Sequence, residues 1–406
     1  MKNLNDLEAR LGGLVVFRGL LAAEQMTAFR AMLAARRGLD GPASRAAFVE
    51  AVAAFEAALL PRGSDWSAVL LDLVLQDENI CIRKAAAGGA GPLAEASLTR
   101  ELEILQQAGS VCRSDLLEGL NDGPALAALL PPAWGTSDQD YAAAFRARLA
   151  EVGEKGYGIF ARYHVFTVED GEPVPVRYPD PQRLSELPGY EREREKVIAN
   201  TLALLQGQPA NNVLLYGDAG TGKSSCIKAI ANAYADRGLR LVEVKKNQLY
   251  QIPDLMDELA ANPLKFILFI DDLSFTANDD NFAALKAILE GSVGGRAHNI
   301  AVYATSNRRH LIKETLTDRS GDDIHESDTR QELMSLSARF GLTVTFASPD
   351  RDRYLYIVKE LAKQYGLEMD EKELAVRSEA FAIRMGGRSA RVAKQFIELC
   401  KAGVQD

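Results

Sequence analysis

The chain is poor in the residues that build metal centres and disulfide frameworks. Its 406 residues include four cysteines and four histidines. These are widely separated, and no CxxC pair occurs, so neither a zinc site nor a set of disulfides is indicated. No apolar run approaches the ~20 residues needed to span a bilayer, and the first residues lack the apolar core of a secretory signal. We therefore expect a protein of the reducing cytoplasm with no membrane insertion.

The chain also has fewer basic than acidic residues. Lys and Arg number 47 against 56 Asp and Glu, which gives a formal net charge of -9. This balance argues against a surface built wholesale for nucleic acid, although a local basic groove is compatible with an acidic total. With 47% hydrophobic residues, a chain of this length can bury large cores and is expected to hold two or three domains.

Composition and periodicity predict four regions. Residues 1–155 are rich in Ala and Leu at helical spacing, with Gly and Pro between the segments, and predict a helical domain. Residues 156–180 contain aromatic and β-branched residues around an Asp-Gly turn, which predicts a β-hairpin and a linker. Residues 181–348 alternate strands and helices, as a parallel sheet requires. Residues 349–406 contain three helical segments and predict a helical lid.

The most informative segment is NNVLLYGDAGTGKSSCIKAIANAY, which begins at Asn211. An apolar strand leads into the pattern G-x-x-x-x-G-K-S from Gly217 to Ser224, and a helix follows. Glycines allow the turns that point backbone N–H groups inward at a helix N-terminus, which suits a polyphosphate. Lys223 supplies a mobile cation for the terminal phosphates, and the Ser224 hydroxyl is suited to Mg²⁺.

A second apolar strand, in KFILFIDDLSF, ends in two adjacent carboxylates. Strand ends of this kind meet the ligand at the carboxyl edge of an open α/β sheet. Asp271 is predicted to hold Mg²⁺ through Ser224 or water, and Asp272 to orient or deprotonate an attacking water. The alternative is an acidic strand end that faces solvent.

Three polar residues in later motifs complete the candidate site. Asn307 follows the strand of IAVYATSNRRHL and is suited to hold the attacking water or the γ-phosphate. Arg339 in SLSARFGLTVTF is expected to point away from its own cradle and to complete the site of a second subunit. Arg391 in GGRSARVAKQFIE, favoured over Arg388, is expected to touch the γ-phosphate from the lid. Surface ion pairs are the alternative for both arginines.

In this order the segments GDAGTGKS, FILFIDD, ATSN, SARFG and GRSAR resemble the Walker A, Walker B, sensor 1, arginine-finger and sensor 2 elements of AAA+ P-loop ATPases. The resemblance covers roughly residues 180 to 402. Phrases such as PGYERE, PANNVLLYG and LSARFGL are also similar to a bacterial family of predicted ATP-binding proteins known only as a domain of unknown function.

The resemblance implies a five-stranded parallel sheet in AAA+ order, a C-terminal helical lid, ATP and Mg²⁺ as ligands, and a homo-oligomeric ring or partial ring with Arg339 acting in trans. Catalytic roles fall on Lys223, Asp271, Asp272, Asn307 and Arg339, and the metal contacts on Ser224 and Asp271. The implied nucleotide contacts are Gly189, Tyr190, Gly217, Asp218, Ala219, Gly220, Thr221, Gly222, Lys223, Ser224, Ser225 and Arg391.

Three features depart from the family pattern or lie outside it. The second Walker B residue is usually Glu, and Asp272 is one methylene shorter, which predicts slow or partner-dependent hydrolysis. The acidic segment from Lys313 to Glu332 is interpreted as a solvated loop, with partner recognition as the alternative. Tyr250, on a loop after the second core strand, is interpreted as a packing residue.

The leading hypothesis is therefore an ATP hydrolase whose cycle remodels a macromolecular partner. The alternative is an ATP-gated assembly or recruitment module with slow hydrolysis. A small-molecule kinase on the same cradle is a third option, but no acceptor site is evident. The client is expected to be a protein, and nucleic acid is possible but not favoured by the charge balance. Nothing in the N-terminal helices names the client.

Overall fold

The structure is a computed structural model that describes residues 4–39, 41–85, 89–120, 122–274, 281–290, 297–307 and 338–404. The acidic segment from residue 313 to 332 lies outside these ranges. The chain forms two compact units, residues 1–158 and residues 159–406. No helix within the described ranges combines the length and the apolar character needed to cross a membrane.

The first unit is helical, as its Ala- and Leu-rich periodicity predicts. Trp66 lies at the centre of its core, where its ring contacts Phe29 and Phe55 at centroid distances of 4.9 and 5.0 Å. The indole N–H donates to the carbonyl of Ala108 at 3.0 Å, so the buried polar group is satisfied. The helices are α1 (Leu4–Gly12), α2 (Glu24–Arg37), α3 (Pro42–Leu59), α4 (Trp66–Gln76), α5 (Ile80–Ala85), α6 (Pro92–Gly109), α7 (Arg113–Leu117), α8 (Gly123–Ala127), α9 (Tyr141–Ala150) and α10 (Val152–Lys155).

The second unit alternates strands and helices. Its strands are β1 (Val165–Glu169), β2 (Glu172–Pro175), β3 (Val213–Gly217), β4 (Leu239–Glu243), β5 (Lys265–Ile270), β6 (Ile300–Ser306) and β7 (Leu342–Phe346). Its helices are α11 (Ile159–Arg162), α12 (Glu191–Leu205), α13 (Lys223–Ala233), α14 (Ile252–Ala260), α15 (Asn281–Glu290), α16 (Arg351–Gln364), α17 (Glu371–Arg384) and α18 (Ala390–Lys401).

The sheet has the strand order β2-β1-β4-β5-β6-β3-β7. Its five core strands, β4, β5, β6, β3 and β7, are all parallel. The two remaining strands form the predicted hairpin, whose β1 pairs in parallel with β4. The sheet therefore has seven strands rather than the five expected, because the hairpin adds to one edge instead of remaining an isolated linker element.

Strand β5 shows how the sheet is covered on both faces. Its side chains alternate, with Phe266, Leu268 and Ile270 in one apolar cluster and Ile267 and Phe269 in the other. All five are fully buried. A continuous apolar run is the expected sequence of a central parallel strand, since helices cover both of its faces.

The lid consists of α16, α17 and α18. Asp350 caps α16 by accepting a hydrogen bond from the backbone N–H of Arg353 at 2.8 Å, and Ser389 caps α18 through the N–H of Val392 at 3.2 Å. The apolar face of α18, which includes Phe396 and Ile397, packs into the cluster on one face of the sheet. This packing fixes the N-terminus of α18 near the carboxyl edge of the sheet.

One packing prediction in this unit is wrong. Tyr250 lies in the short helical turn Lys246–Gln251 after β4, and its side chain is 68% exposed. Packing therefore does not account for this tyrosine.

Candidate functional site

A cleft of about 1110 Å³ lies at the carboxyl edge of the sheet. Its walls come from the linker before α12, the glycine-rich loop before α13, the ends of β5 and β6, and the lid. In parallel sheets the strand ends at this edge, together with the loops that follow them, form the ligand site. The described lining includes Ala219, Gly220, Thr221, Gly222, Lys223, Ser224, Ser225, Asp271, Asp272, Asn307 and Arg391.

The glycine-rich loop is shaped by backbone conformations that side chains do not tolerate. Gly217 has φ +138°, and a Cβ added to it would lie 2.1 Å from the carbonyl oxygen of Phe346 on β7. Gly220 and Gly222 also have positive φ values. The loop can therefore follow this path only with glycine at position 217, where it passes against the neighbouring strand.

Asp218 takes a different role from the nucleotide contact expected of it. Its backbone N–H donates to the carbonyl of Phe346 at 3.1 Å, and its carboxylate accepts from the N–H of Ser348 at 2.7 Å. This hydrogen bond from Ser348 lowers the pKa of the Asp218 carboxyl. Gly217 and Asp218 thus join the loop to the junction between β7 and the lid, and neither lines the cleft.

Lys223 begins α13 and is 6% exposed. Its ammonium donates to the carbonyls of Gly217 and Asp218 at 2.8 and 2.7 Å, and to Asn307 Oδ1 at 3.0 Å. Burial lowers the pKa of Lys223, while the carboxylates of Asp218, Asp272 and Asp271 act in the opposite direction. These three oxygens are neutral, so an anion that replaced them would pair with the buried charge more favourably.

Asp271 lies directly after β5, and three hydrogen bonds converge on its Oδ1 atom. Ser224 Oγ donates to it at 2.6 Å, Thr305 Oγ1 donates to it, and the backbone N–H of Asp272 donates to it at 3.1 Å. The hydroxyl and the carboxylate that were predicted to share a metal are therefore in direct contact. Such hard oxygen donors suit Mg²⁺.

Asp272 has an unusual backbone conformation, with φ +51°. Asp and Asn adopt this left-handed region more readily than other residues with a side chain. The Asp272 carboxylate accepts a hydrogen bond from Asn307 Nδ2 at 2.9 Å. Asn307 therefore bridges Lys223 and Asp272, and the three predicted residues form one chain of contacts across the cleft.

The linker contributes Gly189 and Tyr190, but Tyr190 mainly packs. Its ring is 2% exposed and stacks on Phe346 at a centroid distance of 5.2 Å. Its hydroxyl donates to the carbonyl of Ala347 at 2.6 Å, and burial raises the pKa of Tyr190 to about 12. The side chain thus fixes the linker to the end of β7. Gly189 is held from the other side by Arg194, which donates to its carbonyl at 2.9 Å.

The two candidate arginines of the lid differ in their surroundings. Arg388 forms a two-point ion pair with Glu379, with nitrogen to oxygen distances of 3.0 and 2.7 Å. Arg391 lines the cleft, and its backbone N–H donates to the carbonyl of Gly220 at 3.0 Å. The structure therefore directs Arg391, not Arg388, toward the glycine-rich loop.

Arg339 precedes β7 and is partly buried. It does not belong to the described lining of the cleft. Its role in a neighbouring subunit therefore stays a prediction.

Sequence reasoning missed two polar residues that organise the site. Thr305 is 2% exposed and contacts both Walker B carboxylate residues. Asn232 in the last turn of α13 donates to the backbone carbonyls of Asp180 and Gln182 at 2.8 and 3.0 Å, which holds the linker wall. A polar residue at the end of an apolar strand marked Thr305 in the sequence, whereas nothing marked Asn232.

The residues of the cleft fit a magnesium nucleotide. Gly220 and Gly222 line the cleft with positive φ values and no side chains, so the loop presents backbone at the N-terminus of α13. Lys223 supplies a buried positive charge, and Ser224 with Asp271 supplies oxygen ligands. The cleft is also large enough for a nucleotide.

Comparison with known proteins places the chain in a family. A family model described as "Protein of unknown function (DUF815)" matches residues 161–404, which is more than half of the chain. The chain belongs to the DUF815 family. The matched part of this DUF815 protein includes the hairpin, the sheet, the whole cleft and the lid. Its core strand order and its lid are those of an AAA+ P-loop ATPase, as the sequence motifs predict.

Solved structures provide further likenesses. A RuvB mutant from Thermotoga maritima is 16% identical with a TM-score of 0.38, and the match covers 54% of the DUF815 chain and 65% of that chain. Another RuvB structure from that organism, a Holliday junction branch migration motor, is 15% identical with a TM-score of 0.34 and coverages of 54% and 72%. AMPPCP-bound DnaA from Aquifex aeolicus is 18% identical with a TM-score of 0.40 and coverages of 56% and 67%.

Proposed function

We propose that this protein binds Mg-ATP in the cleft, hydrolyses it to ADP and phosphate, and uses the cycle to remodel a macromolecular partner. The observation that carries the proposal is the convergence of five predicted residues. Ser224 contacts Asp271, Asn307 contacts Asp272, and Lys223 contacts Asn307. These residues come from three separate motifs, yet they form one continuous polar network in a single cleft.

Each residue has a defined task in this proposal. The loop from Ala219 to Gly222 surrounds the phosphates with backbone N–H groups, and Lys223 exchanges its carbonyl partners for phosphate oxygens. Ser224 and Asp271 hold Mg²⁺, which supplies positive charge against the phosphate oxygens when bound. Asp272 and Asn307 hold the attacking water and direct it at the γ-phosphate.

Binding and hydrolysis can drive movement because the lid contacts the phosphate loop directly. In the lid, the N–H of Arg391 donates to the carbonyl of Gly220, and just before the lid the N–H of Ser348 donates to the carboxylate of Asp218. A nucleotide that binds the loop more tightly in one lid position than in another shifts the balance between the two positions. The partner on which this movement acts is proposed to be a protein.

The test is nucleotide binding and ATP turnover by the full chain and by Lys223→Ala. The matched control is Lys228→Ala, which removes a lysine from the same helix at a position outside the cleft lining. We expect Lys223→Ala to lose binding and turnover, and Lys228→Ala to retain both. Equal turnover in wild type and Lys223→Ala, or no nucleotide affinity in the wild type, would exclude the proposal.

A second function is favoured by the state of Asp272. Its carboxylate already accepts a hydrogen bond from Asn307, and it is shorter than the usual Glu. These features suit an ATP-gated assembly or recruitment module in which hydrolysis is slow. Asp272→Ala separates the two functions, because turnover abolished by this change supports the motor, whereas ATP-driven assembly with unchanged turnover supports the module.

Oligomerisation with Arg339 acting in trans is part of the proposal. Its support is the absence of Arg339 from the described lining of its own cleft. Arg339→Ala subunits keep an intact cleft, and Lys223→Ala subunits keep an intact Arg339. If each variant is inactive alone, recovery of turnover in a mixture supports a shared site, and a mixture as inactive as its components contradicts it.

A further inference from the structure

Thr305 is a buried polar residue at the end of β6 that the proposed function does not use. It is 2% exposed. Its hydroxyl donates to Asp271 Oδ1 and accepts a hydrogen bond from the backbone N–H of Asp272 at 2.9 Å. Its backbone carbonyl accepts from the N–H of Leu273 at 2.7 Å. One residue on β6 therefore contacts three consecutive residues that follow β5.

The assignment of donors is determined by chemistry. A carboxylate only accepts and a backbone N–H only donates, so the single Thr305 hydroxyl proton goes to Asp271 and its lone pairs face Asp272. Valine has nearly the same shape but has neither the proton nor the lone pairs. Valine at position 305 would therefore leave both partners without this contact while filling the same space.

The contact matters because of the turn that it holds. Asp272 is in the left-handed region at φ +51°, which is strained for an L-residue, although less so for Asp than for most others. The hydrogen bonds from Asp272 and Leu273 to Thr305 offset this cost. This turn also determines where the Asp272 carboxylate points, and the carboxylate accepts a hydrogen bond from Asn307 Nδ2 at 2.9 Å.

We propose that Thr305 is a positioning residue for ATP hydrolysis, which fixes the metal-facing carboxylate of Asp271 and the water-facing carboxylate of Asp272 relative to each other. This inference rests on the proposed function. It predicts that Thr305 affects magnesium use and turnover, which depend on the two carboxylates. Phosphate binding should not depend on Thr305, because the loop and Lys223 bind the phosphates without contacting it.

The experiment compares Thr305→Val with Thr305→Ser, which keeps the hydroxyl. Nucleotide affinity is measured with a fluorescent ATP analogue in EDTA and in Mg²⁺, and turnover is measured across a magnesium titration. For Thr305→Val we expect a loss of about 10- to 100-fold in turnover or magnesium affinity, as is typical when a group that orients a metal ligand is removed. Its affinity for nucleotide in EDTA should stay within about twofold of wild type, and Thr305→Ser should restore most of the turnover.

Three outcomes would overturn the inference. These are wild-type turnover and magnesium dependence in Thr305→Val, an equal defect in Thr305→Ser, and an equal loss of nucleotide affinity with and without Mg²⁺. Thermal unfolding checks that each variant is folded, and Thr305→Ala serves as a second variant without the hydroxyl, to which the same criteria apply. If wild type binds and hydrolyses ATP but Thr305→Val behaves like it, only the role of Thr305 fails. If wild type does not bind nucleotide, the proposed function fails.

Discussion

The tight approach of Gly217 to β7 makes Gly217→Ala the sharpest test of the site geometry. The added Cβ would lie 2.1 Å from the carbonyl oxygen of Phe346, 2.6 Å from its carbonyl carbon and 3.0 Å from its nitrogen. All three are backbone atoms of a paired strand, so they cannot rotate away. The loop and β7 must therefore separate in this variant.

The magnitude has two parts. A side chain at φ +138° costs about 1–3 kcal/mol, and forcing extra volume into a packed site costs about 1–3 kcal/mol. We expect Gly217→Ala to lower the free energy of unfolding by about 2–6 kcal/mol. The control is Gly207→Ala, where φ is +69° and nothing lies within 4 Å of the added Cβ, so only about 1–2 kcal/mol of backbone strain is expected.

The assay is urea unfolding of the full chain, together with amide hydrogen exchange. Exchange should increase at Val344 and Phe346 in Gly217→Ala, because β3 and β7 lose their pairing there. Gly207→Ala should leave exchange in β7 unchanged. If the two variants are equally stable, or if β7 is equally protected in both, the close approach of the loop to β7 is refuted.

Three further predictions concern the contacts around the loop. Asp218→Asn should lower the free energy of unfolding by about 1 kcal/mol. Because folding lowers the pKa of Asp218, the stability that its carboxylate contributes is complete above pH about 4 and is lost as the pH falls further. The urea midpoints of variant and wild type should therefore converge at low pH. Asp272→Glu should cost about 1 kcal/mol in thermal unfolding, since Glu tolerates the left-handed backbone at this position poorly; an unchanged melting temperature would contradict this. Arg391→Ala should weaken ATP binding in a fluorescence titration without changing the melting temperature. Arg388→Ala should lower the melting temperature slightly, because its ion pair with Glu379 is lost, and should keep ATP affinity; reversed effects would exchange the two roles.

The core strands and the polar residues of the cleft could be predicted because they depend on patterns of neighbouring residues in the sequence. The strands that lead into Gly217, Asp271 and Asn307 were expected from their apolar runs and are observed as β3, β5 and β6, because a buried parallel strand requires such a run. Asp271 and Asn307 come directly after β5 and β6, and Lys223 and Ser224 begin the helix that follows β3 and its loop. The carboxyl ends of parallel strands meet at one edge, so their meeting in one cleft follows from chain order and strand direction.

The sequence by itself therefore determined the strands, the glycine-rich loop and the polar residues that follow each strand, since these depend on neighbours along the chain. Only the tertiary structure decided how distant segments pair. In it the hairpin pairs with β4, and the Asp218 carboxylate accepts a hydrogen bond from Ser348. Arg388 forms an ion pair with Glu379, and the Thr305 hydroxyl lies between Asp271 and Asp272. Each of these contacts is a hydrogen bond or ion pair between groups with several available partners, and only the packing of the whole unit selects one of them.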